Sequence, residues 1–383
     1  MTADAAVRGI REVDSSGSIG LISKEAHPPY NRPPLSKGLW KDQLKKVIWR
    51  NTKELDVELH LNCKAQILDP SDKCVTDTQE TTYTFDKLLL ATGGTPQKLP
   101  FGNNQIIYFR TLQDFERLQT LAEEKHRFAI IGGGFIGAEI AAALAMNDKE
   151  VVMIFPEAGI GGLNFPADLS SFLNDYYREK GVEVLPGGLV DGLTTHGDQL
   201  ILQTDSNGEI VADTVAAGIG IKPNTTLAKT AGLEVSEKGI IVDKSLRTSH
   251  PDIYAAGDVA AFYNLDLGKR IRVEHEDNAN TMGQMAGRAM AGESVVYDYL
   301  PYFYSDLFDL GYEAVGELNP ELEIVADWQE PYRKGVIYYL NGAGQVRGVI
   351  LWNVWGQIEA ARKLIAEPGP FEPEELRGCL PAM

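Results

Sequence analysis

From residue 127 the chain alternates apolar runs with amphipathic stretches. The run FAII meets three glycines and then AEIAAALA, an alanine-rich stretch that predicts a helix. An apolar strand is predicted over 151–155, an amphipathic helix over 168–180 and a short strand over 182–185. Two alternating patterns, LILQTD and EIVADTV, flank Ser206-Asn207-Gly208, which predicts a hairpin. The stretch closes on TVAAGIGIKPN, an apolar strand followed by a glycine turn. The first hundred residues repeat this order: a helix over 3–13, a strand over 19–23, strand-like patterns over 63–84, then KLLLATGG. Ala3 to Ala91 spans 88 positions and Gly137 to Ala217 spans 80, so two nucleotide-binding units of similar length are expected. After Tyr297 the pattern changes to aromatic-rich strands, YFYSDLF, YEAVGEL, GVIYYLN and RGVILWNVW, followed by the helix QIEAARKLI. That predicts a small antiparallel sheet carrying a helix.

Composition narrows the classes. The chain has 383 residues, 44% apolar and 23% charged, which suits two to three globular domains with a real core. No run reaches the about 18 uninterrupted apolar residues of a membrane span. With 36 basic and 54 acidic residues the net charge is −18, which repels phosphate backbones, so no nucleic-acid partner is expected. Cys63, Cys74 and Cys379 are too few and too far apart for a disulfide framework, a metal cluster or a CxxC pair. A reducing, cytoplasmic setting is therefore expected, and no metal. The N-terminus has an amphipathic helical pattern with no apolar signal core.

The chemistry concentrates in a few motifs. Gly132-Gly133-Gly134-Phe135-Ile136-Gly137 is a GxGxxG between a predicted strand and helix. Its first glycine permits the turn, the second lets backbone approach a pyrophosphate, and the third lets helix and strand pack closely. Glu157 stands 20 residues beyond Gly137, at the end of the next strand, where a carboxylate takes ribose hydroxyls. It would repel a 2′-phosphate, and no arginine lies between Glu157 and Asp175, so NADH is favoured over NADPH. At the N-terminus Glu25 follows the helix and strand in the matching place. The strand and glycines that should precede Ala3 are not in the chain, so the first strand of that unit is expected to be missing. Asp258, in YAAGDV, suits a bond to a sugar-alcohol chain, or equally a helix N-cap. Arg32-Pro33-Pro34-Leu35-Ser36-Lys37 joins a stiff Pro-Pro to two cations and a serine able to cap a helix; an extended surface linker is the alternative. His275 before a small-residue helix reads as structural by default, and Trp352 as core. No Ser/His/Asp arrangement, paired-carboxylate spacing or HExxH helix occurs, which leaves hydrolysis and zinc catalysis without support.

In order, PYNRPPLSKGLW, LLLATGG, FAIIGGGFIGAE, IFPE, YAAGD and VEHEDNA resemble the flavoprotein reductases of the pyridine nucleotide–disulfide oxidoreductase superfamily. Within it the chain is most similar to the apoptosis-inducing factor and ferredoxin-type reductase branch, and YSDLFDLGYEAVGEL, KGVIYYL, GVILWNVW and ARKLI resemble the C-terminal domain of the former. The resemblance implies an α/β fold with two Rossmann-like dinucleotide-binding domains plus a small α+β C-terminal domain. It puts FAD in residues 1–110 and 235–298, NAD in 111–234, and the C-terminal domain in 299–383.

The same resemblance implies residue roles. Glu25 would hold the FAD adenosine ribose, with Ala65 on the adenine side and Thr92 and Gly93 in the KLLLATGG turn. Arg32, Arg110, Gly257 and Asp258 would meet the FAD phosphates and ribityl chain. Lys37 would lie near the reactive flavin edge, paired with Glu139, and Phe135 would cover the flavin face until nicotinamide displaces it. Gly132, Gly134, Ile136, Gly137, Glu157 and Gly218 would hold NADH, while Glu274, His275 and Trp352 would border flavin and nicotinamide. Lys37, Glu139, Phe135 and His275 form the expected catalytic set. The CxxxxC pair of the disulfide-reducing members is absent, so electrons would leave the flavin directly. The expected activity is an NADH oxidoreductase with FAD, passing electrons to an unidentified acceptor: a small molecule, a quinone or a carrier protein. An NADH-sensing interaction protein and an FAD-less remnant are the alternatives, and a homodimer stays open.

Overall fold

The structure is a computed structural model that describes residues 1–41 and 43–380. The chain divides into two compact units, each assembled from separated segments. One comprises Met1–Arg32, Lys45–Thr95 and Lys222–Pro301; the other comprises Pro33–Leu44, Pro96–Ile221 and Tyr302–Met383.

In the first unit the N-terminal helix Thr2–Val13 buries Ala5, Ala6 and Val7 and packs along the helix Glu276–Met290. The approach is so close that side chains on Gly9 or Gly287 would overlap backbone carbonyl oxygens of Gln284 and Ala6. Asp4 is fully buried in this helix and accepts hydrogen bonds from Arg8, Arg50 (2.6 Å) and Thr52 (2.6 Å). Three donors, two of them cationic, compensate the desolvation of that carboxylate and fasten the helix to residues 50–52. Two parallel strand pairs follow, Gly20–Ile22 with Glu58–His60 and Leu88–Leu90 with Ile253–Ala255. The patterns over 63–84 form a three-stranded antiparallel sheet, Ala65–Asp69, Cys74–Asp77 and Thr82–Thr84.

In the second unit five strands form one parallel sheet in the order Val182–Pro186, Glu150–Phe155, Arg127–Ile131, Thr214–Ala217, Ile106–Tyr108. Its central strands are buried along nearly their whole length, which is why FAII and VVMIF read as continuous apolar runs. The hairpin expected at Ser206-Asn207-Gly208 joins Gln199–Thr204 to Glu209–Ala212. The C-terminal sheet is antiparallel, in the order Tyr302–Leu307, Leu310–Gly316, Val346–Trp352, Lys334–Leu340, Glu323–Glu330, and carries the helix Ile358–Ala366. Its edge strand Glu323–Glu330 is half-exposed along most of its length, so its pattern carries little apolar signal.

Candidate functional site

The glycine motif closes the central strand of the parallel sheet. Gly132 adopts φ +111°, a conformation that costs a side chain, and a Cβ there would stand 2.5 Å from the Gly218 oxygen. A Cβ on Gly137 would overlap the Gly132 oxygen, whereas one on Gly134 would meet nothing within 4 Å. The turn is thus packed on its inner side by Gly132, Gly137 and Gly218, and open at Gly134 and the exposed Ile136. Gly134 is the N-cap of the helix Phe135–Met146 and supplies no side-chain cap, so the first helical N–H groups keep their capacity for an outside acceptor. Glu157 is half-exposed just past the strand Glu150–Phe155, with its carbonyl accepting from Gly187. The residues present fit an anionic dinucleotide: a cradle a Cβ would fill, an open phosphate side and a ribose-level carboxylate.

One turn into the same helix Glu139 is buried, with 3% exposure. Lys37 Nζ donates to its Oε1 at 2.6 Å, Ser36 Oγ to its Oε2 at 2.6 Å, and Ser305 Oγ to Oε1 at 2.5 Å. Ser36 ends the short helical turn Pro33–Ser36, and its hydroxyl is turned onto Glu139 rather than onto a helix end, because the buried carboxylate is the stronger acceptor. Lys37 also lies 5.3 Å from the centre of the Tyr304 ring. The half-buried Phe135 packs against Phe303 and Tyr312, with centroids 5.1 and 6.5 Å apart. Trp352 is fully buried, stacked on Tyr312 at 5.5 Å, and its indole N–H donates to the Tyr332 carbonyl. Arg110 belongs to this unit and precedes the capping box of Thr111 and Asp114, with its own N–H donating to Asp114.

The first unit gathers a second set. Glu25 accepts from the Tyr30 hydroxyl at 2.6 Å and forms an ion pair with Arg32. Burial works to raise the Glu25 pKa, but the Arg32 guanidinium and the Tyr30 hydroxyl hold it below the ordinary glutamate value. Burial likewise opposes the charge of Arg32, while Tyr30, Glu25 and Asp258 together raise its pKa. Gly257, at φ +76°, and Asp258 form a tight turn after the strand Ile253–Ala255, and a Cβ on Gly257 would overlap Thr2 of the N-terminal helix. His275 stands at the N-cap position of Glu276–Met290. Burial draws its pKa down to about 4, against the opposing charge of Asp258, so the ring is neutral at pH 7. Glu274 pairs with Arg272 at 2.6 Å. Thr92 and Gly93 are locked to Asn224: the Thr92 hydroxyl donates to the Asn224 carbonyl, and the Asn224 amide groups donate to the carbonyls of Thr92 and Gly93. Ala65 begins the strand Ala65–Asp69, half-buried. A carboxylate, a guanidinium, a second carboxylate and a neutral imidazole around a glycine turn fit a nucleotide with phosphates and a polyol.

Tyr30, Asn224, Tyr304 and Ser305 join these sets without a signal that spacing alone could give. Among the described residues no three His, Cys, Asp or Glu side chains could hold a metal ion, and no helix is long and apolar enough to cross a membrane.

Residues 3–285 match the sequence profile of the pyridine nucleotide-disulphide oxidoreductase family. Residues 326–367 match that of the apoptosis-inducing factor, mitochondrion-associated, C-terminal domain. The chain is 34% identical to apoptosis-inducing factor 1, mitochondrial, of Dictyostelium discoideum, over 96% of this chain and 77% of the relative. It is 33% identical to monodehydroascorbate reductase 3 of Arabidopsis thaliana, over 93% of this chain and 87% of the relative. Its fold is similar to putidaredoxin reductase in a covalent complex with putidaredoxin, with a TM-score of 0.91 and 27% identity, covering 98% of this chain and 93% of that one.

Proposed function

The chain belongs to the pyridine nucleotide-disulphide oxidoreductase family, a family of NAD(P)H oxidoreductases, and from that premise we propose that it oxidises NADH through bound FAD. The observation that carries this reading is the glycine turn, packed inside and open at Gly134, with Glu157 as the ribose-level carboxylate of the next strand. Bound FAD would supply the hydride acceptor for NADH and the two-electron relay to the acceptor.

The chain's own residues hold and bias that chemistry. Gly132, Gly134, Ile136, Gly137 and Gly218 shape the NADH cradle. The Glu157 carboxylate would accept from the ribose hydroxyls of NADH and repel a 2′-phosphate. Glu25, Ala65, Thr92, Gly93, Arg32, Arg110, Gly257 and Asp258 would hold FAD, with the guanidinium of Arg32, paired here with Glu25, as the cation suited to a phosphate. The Lys37 ammonium, held by Glu139, offsets the negative charge that reduction brings. Phe135 would cover the reacting face against water until nicotinamide enters, with Glu274 and His275 at its border; Trp352, fully buried on Tyr312, would back that side rather than line it. The acceptor is a small molecule, a quinone or a carrier protein reduced without a cysteine pair. Two of the relatives named above are by name reductases, of monodehydroascorbate and of putidaredoxin, which supports that range.

The test is the visible spectrum of purified protein supplemented with FAD, before and after anaerobic NADH or NADPH. A bound flavin that bleaches with NADH, and far more slowly with NADPH, is expected. Protein that takes up no flavin overturns the reading, and equal bleaching by the two nucleotides overturns the role of Glu157.

A further inference from the structure

We propose that Ser305, on the C-terminal antiparallel sheet, is a positioning residue of the redox site, fixing Glu139 so that the Lys37 ammonium keeps its working place. The inference rests on the flavin reading above and adds to it a residue from the far end of the sequence. Ser305 is a hydroxyl with no exposed surface on the strand Tyr302–Leu307, between Tyr304 and Asp306. Such a hydroxyl costs stability unless it is bonded, and its bond runs to Glu139, 166 residues away in the chain.

The geometry says what the bond does. Glu139 is buried, and its two oxygens are divided among three donors. Ser36 holds Oε2, while Lys37 and Ser305 share Oε1. The two serines therefore pin the carboxylate plane from opposite oxygens, and Lys37 meets it through one oxygen only. An ammonium has three N–H donors and no acceptor, so a one-point contact leaves it donors for another partner. With Ser305 gone, the carboxylate can rotate and draw Lys37 into a two-point contact or release it. Either change moves the cation. The neighbouring Tyr304 ring, 5.3 Å from Nζ, lies on the same strand, so one short segment frames both members of the pair.

The experiment compares Ser305→Ala, Ser305→Thr and Ser305→Cys with wild type in two ways. Stopped-flow reads the rate of flavin reduction by NADH and the apparent NADH dissociation constant. Competitive amine labelling with mass spectrometry reads the reactivity of Lys37 in FAD-free protein. Ser305→Ala is expected to reduce flavin about tenfold more slowly, the scale of a lost hydrogen bond to a charged group, with unchanged NADH affinity. It is also expected to label Lys37 at a changed rate, and Ser305→Thr, which restores the hydroxyl, to recover both. Ser305→Cys keeps the volume with a weaker donor; its intermediate values decide the matter if the alanine variant does not fold. Wild-type reduction and wild-type Lys37 labelling in a folded alanine or cysteine variant overturn the proposal. If no variant and no wild type binds flavin, the flavin reading fails, and the labelling comparison still decides the role of Ser305.

Discussion

His275 sits one residue before the helix Glu276–Met290, where burial draws its pKa from 6.5 to about 4 and Asp258 pulls the other way. A depressed histidine pKa means that the unfolded chain takes up its proton first as pH falls. The contribution of the neutral ring is therefore whole above the unfolded value near 6.5 and is lost as pH falls toward the folded value of about 4. Because the ring keeps part of its surface toward solvent, roughly 2 kcal/mol is the scale of that loss. Urea midpoints at pH 7.5 and pH ~4.5 check it: the wild type should lose more stability than His275→Gln over that interval. Parallel losses in the two proteins would remove His275 from the acid response. Residue roles of this kind were only partly legible in the chain. Glu157 stood out because its place is set by counting from a turn, whereas the protonation state of His275 depends on surroundings that no local pattern records.

The element that depends most on a detail invisible to periodicity is the pair of helices Thr2–Val13 and Glu276–Met290. Each helix is readable alone, from an apolar stripe or a small-residue run. Their contact is not, because it needs glycine in both helices, and glycine in a helix normally signals weakness. Gly287 faces the Ala6 carbonyl so closely that a methyl group cannot fit without moving a backbone. Gly287→Ala should therefore destabilise by about 1–3 kcal/mol despite alanine's better helix propensity. It should also weaken FAD binding, because Thr2 of the displaced helix abuts the Gly257 turn. Urea titration and flavin fluorescence measure the two effects, and a variant as stable as wild type contradicts the close packing. The parallel sheet around Arg127–Ile131 was legible for the opposite reason: strands buried on both faces need uninterrupted apolar runs, and the hairpin at Asn207-Gly208 announces its own turn. The edge strand Glu323–Glu330 and the Ser305–Glu139 bond were not legible, one for lack of apolar signal and the other for its sequence separation.

For the whole molecule the dominant property is its net charge of −18. Acidic carrier proteins are repelled by it at long range, and uncharged acceptors are indifferent to it. Raising ionic strength from about 10 mM to about 150 mM shortens the Debye length from about 30 Å to about 8 Å. Over that range kcat/KM should rise if the acceptor is an acidic carrier protein and stay level if it is an uncharged quinone. Initial rates across a sodium chloride series test this, and a carrier rate that falls with salt would indicate a local basic docking face instead. The way the units are cut from the chain has a separate consequence during protein synthesis. Every strand of the five-stranded parallel sheet lies between residues 106 and 217, so that layer can form while the rest is still being made. The face of the N-terminal helix that packs on residues 276–290 cannot be covered until they leave the ribosome. Ala5 and Ala6, which face that helix in the finished protein, therefore stay uncovered for most of translation. A segment made ahead of that sheet is thus sheltered only after it, which makes it the natural foothold for a chaperone on the nascent chain.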